Sequence, residues 1–134
     1  MILIPPFDYN GKETGRQSMN IQIFGTNKDF DTKKAQRYFK ERSIRFQYID
    51  MNDKGMAKGE FVSVMNAVGL QNMINYKSKD KENLSLLDYL TDEAKIDKLL
   101  EFQHLIATPI VRNGRKASVG YTPEVYKKWE EEEK

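Results

Sequence analysis

The sequence predicts an α/β fold. It is a mixed four-stranded sheet with helices on both faces and a helical insertion, at about residues 57–103, between a βαβ half and a ββα half. Three observations predict it. Residues 21–49 read as strand, helix, strand, which within so short a span forces a parallel pair with a right-handed crossover. Residues 105–121 hold two strand-like runs around Asn113-Gly114, a hairpin signal because both residues tolerate positive φ. Between these halves the apolar residues recur at helical spacing.

In order, Ile21, Ile23 and Phe24 form a short apolar run that Gly25 ends. Asp29, Asp31 and Thr32 are all candidate N-caps for a helix over Thr32 to Arg42, where acids complement the positive helix end. Ala35, Tyr38 and Phe39 share its apolar face, and Lys33, Lys34, Arg37 and Lys40 lie largely off it. In Ile44 to Ile49, Ile44, Phe46 and Tyr48 alternate with Arg45 and Gln47, a second strand. Asp50 to Gly55 is a polar turn. Lys58 to Val68 places Phe61, Val64, Met65 and Val68 on one helical stripe, with Gly69 at the C′ position. Leu70 to Ile74 reads as a further short helix and Tyr76 to Asn83 as an exposed charged loop. Two helices follow, Ser85 to Leu90 and Thr91 to Gln103, the second capped by Thr91.

Leu105 to Val111 is apolar but contains Pro109, which cannot donate to a ladder; the strand therefore starts at Pro109 or lies on an edge. Ala117, Val119 and Tyr121 alternate on the return strand. Thr122, Pro123 and Glu124 open a last helix as N-cap, N1 and first-turn acid, with Val125, Tyr126 and Trp129 on its inner face. Glu130 to Glu133 reads as a solvated tail. His104, the single histidine, ends a helix, where a cation is favourable; the reading is structural rather than catalytic.

Composition narrows the function. The 134 residues suit one domain, residues 19–134, preceded by a Pro- and Gly-containing stretch, residues 1–18, that reads as a poorly ordered extension. A net charge of +2, from 22 basic and 20 acidic residues, argues against nucleic acid as a partner. No apolar run reaches the roughly 20 residues that span a bilayer, and the N-terminal apolar stretch is too short for a signal peptide, so the expected location is the cytoplasm. The chain has no cysteine, which excludes disulfides, thiolate metal sites and cysteine nucleophiles.

Three stretches then carry a resemblance: IFGTNKDFDTKKAQRYFKER (Ile23 to Arg42), ATPIVRNG (Ala107 to Gly114) and VGYTPEVYKKW (Val119 to Trp129). They resemble the strand–active loop–helix, the proline-containing strand with its hairpin, and the closing strand and helix of the arsenate reductase/Spx family. That family has a thioredoxin-like fold of glutaredoxin type, and the resemblance covers Met19 to about Trp129. It implies a nucleophilic cysteine in the first loop, followed by a basic residue and an alanine. Lys33 and Ala35 keep that register, which puts Asp29 at the cysteine position and Thr32 at the second cysteine position of Spx-type switches. It also implies two oxyanion-holding arginines, at positions occupied here by Thr108 and Tyr121, and a cis Thr108-Pro109 bond facing residues 27–29.

A carboxylate cannot form a mixed disulfide or undergo two-electron redox, so no arsenate reductase or glutaredoxin-type activity is expected, no catalytic residue, and no metal or cofactor. The leading expectation is a redox-inactive binding or regulatory module. Its candidate binding residues are Asn27, Lys28, Thr32, Lys33, Thr108 and Pro109, around Asp29 as a vestigial nucleophile position. A protein partner would dock on the basic helix face of Lys33, Lys34, Arg37 and Lys40; Spx-type relatives, as the resemblance implies, bind RNA polymerase through a surface including part of this helix. Two alternatives stand beside it. One is a cysteine-type oxidoreductase whose nucleophile is replaced here. The other is an aspartate-based phosphoryl-transfer enzyme built on Asp29-Phe30-Asp31, with Asp50 and Asp53 after the second strand.

Overall fold

The computed structural model describes residues 19–133. The expected extension, residues 1–18, lies outside them. The chain runs β1 (Ile21–Gly25), α1 (Phe30–Glu41), β2 (Phe46–Asp50), α2 (Lys58–Val68), α3 (Lys81–Leu87), α4 (Asp92–Glu101), β3 (Ile110–Asn113), β4 (Lys116–Val119) and α5 (Pro123–Glu132). The strands form one sheet in the order β2-β1-β3-β4. β1 pairs parallel with β2 and antiparallel with β3, and β3 pairs antiparallel with β4. This is the mixed α/β sheet of the thioredoxin-like fold.

Alternation along the strands sends residues to two cores. Ile21, Ile23 and Val111 meet Ala35, Tyr38 and Phe39 of α1 and Tyr126 and Trp129 of α5. Phe24, Ile49 and Ile110 meet, from the insertion, Phe61 and Val64 of α2 with Met73, Leu87 and Leu99, and, just after it, Leu105. The insertion thus builds most of one core and leaves α1 and α5 together on the other face.

Several boundaries differ from the sequence reading. β3 is central, not an edge, and it begins at Ile110, directly after Pro109; the proline precedes the ladder, so its missing donor costs nothing there. The hairpin loop is Gly114-Arg115, one residue later than expected. Gly114 has φ 63 at the first loop position, where glycine is favoured in type II′ turns, while Asn113 ends the strand and its side chain accepts the Asn20 N–H at 3.1 Å. β2 starts at Phe46, because Ile44 still closes α1 with an N–H bond of 2.9 Å to the Phe39 carbonyl.

α3 starts at Lys81, inside the stretch read as a loop. The Asp80 side chain caps it by accepting the Asn83 N–H at 3.2 Å. Residues 71–73 and 103–105 are single 3₁₀ turns. Of the glutamates read as a tail, Glu130 to Glu132 belong to α5 and Glu133 caps it. Glu130 accepts the Tyr38 hydroxyl at 2.5 Å, and Glu132 pairs with Lys116 at 2.5 Å.

Candidate functional site

The site forms where two loops meet. β1 ends at Gly25 and the chain turns through residues 26–28, the Asp29 N–H bonding the Thr26 carbonyl at 3.2 Å. Asp29 is extended, with φ −84 and ψ 119, as an N-cap requires. Its Oδ1 accepts the Asp31 N–H at 3.2 Å. Its Oδ2 accepts two hydroxyls, Thr32 at 2.8 Å and Thr108 at 2.9 Å. The Thr108-Pro109 bond is cis.

The helix sits close enough for these bonds because residue 25 has no side chain. A Cβ there would stand 2.3 Å from Thr32 Oγ1. Thr32 itself is 1% exposed, so its hydroxyl has to find a partner, and Asp29 supplies one.

Of the residues singled out from the sequence, Asp29, Thr32 and Thr108 come together, with Pro109 buried behind them. Asn27, in the same loop, accepts the Tyr48 hydroxyl on its Oδ1 at 2.9 Å. Burial raises the Tyr48 pKa, with Asp50 and then Asp29 adding to it, so this hydroxyl keeps its proton and remains a donor. Lys28 is exposed, and the Lys33 ammonium lies 5.7 Å from the ring centre of Phe30, outside the cluster.

Two neighbours were not singled out for the site. Tyr48 reads only as a strand residue, since nothing local marks its hydroxyl. Phe30, 75% exposed at the first position of α1, did carry a signal: a large apolar residue at a position that faces no core.

The chemistry of this cluster is that of a satisfied cap. Two hydroxyl donors and one amide spend themselves on one carboxylate, which leaves none of the three to hold a substrate oxyanion. An arriving anion would also meet negative charge. The two positions where the resemblance places arginines hold Thr108, committed to Asp29, and Tyr121, half-buried with its ring 6.1 Å from that of Tyr126.

The acids of the phosphoryl-transfer alternative do not converge. Asp31 is exposed, and Asp50 folds the turn after β2, its side chain accepting the Asn52 N–H at 2.9 Å. Among the described residues no three His, Cys, Asp or Glu side chains gather as a metal-holding group. His104 lies elsewhere, its Nε2 2.8 Å from Asp80 Oδ2. No helix among the described residues is long and apolar enough to cross a membrane.

Comparison with known proteins agrees with the geometry of the fold. The arsenate reductase of Vibrio cholerae superposes with a TM-score of 0.73 at 23% identity, over 82% of this chain and 97% of that one. A Staphylococcus aureus protein superposes with a TM-score of 0.68 at 22% identity, over 81% and 96%. An arsenate reductase (ArsC) related protein of Brucella melitensis gives 0.61 at 18%, over 84% and 95%. At these identities the likeness concerns the fold. No curated protein matches the chain. The ArsC family profile matches residues 24–129, from the end of β1 to Trp129, and the chain belongs to the ArsC family.

Proposed function

We propose that this ArsC-family chain carries no thiol chemistry and works in the cytoplasm as a binding or regulatory module. The observation that carries the reading is the state of Asp29. It stands where the resemblance places a nucleophilic cysteine, and both its oxygens are occupied, one by a backbone amide and the other by the Thr32 and Thr108 hydroxyls. Thiol–disulfide exchange needs a sulfur that attacks and leaves, and the chain contains no cysteine. The buried side of α1, Thr32, Ala35, Tyr38 and Phe39, holds the helix in place, and Lys33, Lys34, Arg37 and Lys40 are exposed, free to meet a protein partner.

The test is glutathione-coupled reduction of arsenate and of a small disulfide by the purified protein. Rates equal to the protein-free blank are expected. Turnover of either substrate that scales with protein and survives removal of contaminating reductases would overturn the reading.

A further inference from the structure

The exposed side of α1 is not a plain solvated face. Beside it lies a groove of ≈ 410 Å³ lined by Lys34, Arg37, Tyr38, Glu41, Arg42, Tyr121 and Pro123. At one end the Lys34 ammonium lies 5.9 Å from the ring centre of Tyr121, in the loop before α5. At the other end the Arg42 guanidinium stacks 3.7 Å above the Tyr38 ring, while the Tyr38 hydroxyl donates to Glu130.

The groove has unequal charge. Three cations line it against one carboxylate, Glu41. Arg42 is already engaged, with Glu130 at 3.8 Å and the Tyr38 carbonyl at 3.1 Å. Lys34 and Arg37 make no ion pair among the described residues. Two cations without an ion pair, one of them over the half-buried Tyr121 ring, form a surface with unmet charge and some apolar area, to which an acidic chain segment is complementary. The space is too large for one inorganic anion, and no cation in it is buried as a small-anion site would require.

We propose that the groove between α1 and the start of α5 receives an acidic segment of a partner protein. Its carboxylates lie between Lys34 and Arg37, and its side-chain stems lie on Tyr121 and Pro123. This rests on the reading of the chain as a binding module and says where and what the module binds.

The test is fluorescence anisotropy with a labelled glutamate-rich peptide, and with its glutamine counterpart as control. The glutamate peptide should bind, weaken with added salt, and outbind the glutamine peptide. Lys34→Glu with Arg37→Glu should weaken it about tenfold, since like charges oppose it directly. Lys33→Glu with Lys40→Glu makes the same charge change on α1 outside the groove lining and should weaken it far less. All four residues are exposed, so the variants should fold.

Equal weakening by both pairs overturns the groove while leaving the basic helix as a docking face. No binding of the glutamate peptide overturns the groove but not the absence of thiol chemistry, which the reductase assay tests separately. Tighter binding of a short single-stranded oligonucleotide than of the peptide also overturns it.

Discussion

Thr108 and Asp29 stand 79 positions apart in sequence and 2.9 Å apart in space, joined by a hydroxyl donating to a carboxylate oxygen. This contact ties the loop before β3 to the head of α1. It makes the candidate site a clasp between the two halves of the fold.

The clasp should be measurable as stability. Thr108→Val removes one donor and should cost about 1 kcal/mol in urea unfolding. Asp29→Ala removes the helix cap and leaves two hydroxyls unpartnered, and should cost about 2 kcal/mol or more. Because both changes break the same bond, the double variant should lose less than the sum. Additive losses would show that the contact contributes nothing of its own.

Asp29→Cys puts a thiol at the head of α1, in reach of the Thr32 and Thr108 hydroxyls. Donors and the helix N-terminus favour the thiolate. Its alkylation rate should titrate below about pH 7.5, against roughly 8.5 for a free cysteine. A midpoint at or above that of free cysteine would mean that the loop rearranges around the new residue.

Gly25→Ala tests the close approach of α1 to β1. Its Cβ would meet Thr32 Oγ1 at 2.3 Å and Cγ2 at 2.5 Å, and Thr32 is too buried to turn away. A loss of about 1–3 kcal/mol is expected from overpacking, seen as a lower thermal midpoint. Adding Thr32→Ala should recover part of it.

The Asp80 carboxyl is held down, to about 2, by the Asn83 side chain first, then by His104 and by the Asn83 amide. A folded-state value below the ordinary 3.8 means that this contribution is present above about pH 4 and fades as pH falls toward 2. Asp80→Asn should therefore flatten the acid limb of the stability profile in that window, by circular dichroism. An unchanged acid limb would show that the side chain adds nothing there.

How much of this could be read in advance follows from how local each feature is. Ile21, Ile23 and Phe24 announce a strand by themselves, and Ala35, Tyr38 and Phe39 announce the inner face of a helix, because burial imposes a period on neighbouring residues. The hairpin was legible in Gly114, though its register was not. Whether Asn113 or Arg115 shares the loop depends on which residue pairs with Lys116, and Asn113 is drawn into the strand by Asn20. The start of α3 was hidden because the charged stretch before Asn83 carries no apolar period. What settles it is the cap at Asp80, which His104 holds from 24 positions away. Likewise Glu130 looks like solvent-facing charge until Tyr38 is brought beside it.

By itself the sequence determined that this is a mixed α/β chain, and that no sulfur nucleophile exists anywhere in it. Composition and periodicity are properties of the chain alone. Only the tertiary structure decided how Asp29, which the register already puts at the cysteine position, is held. The ladder pairing of β1 with β3 carries Thr108 to Asp29, the parting of the two cores places α1 beside α5, and the groove of Lys34, Arg37 and Tyr121 exists only between them. Contacts across so many residues depend on how elements pack, and no local pattern encodes that packing.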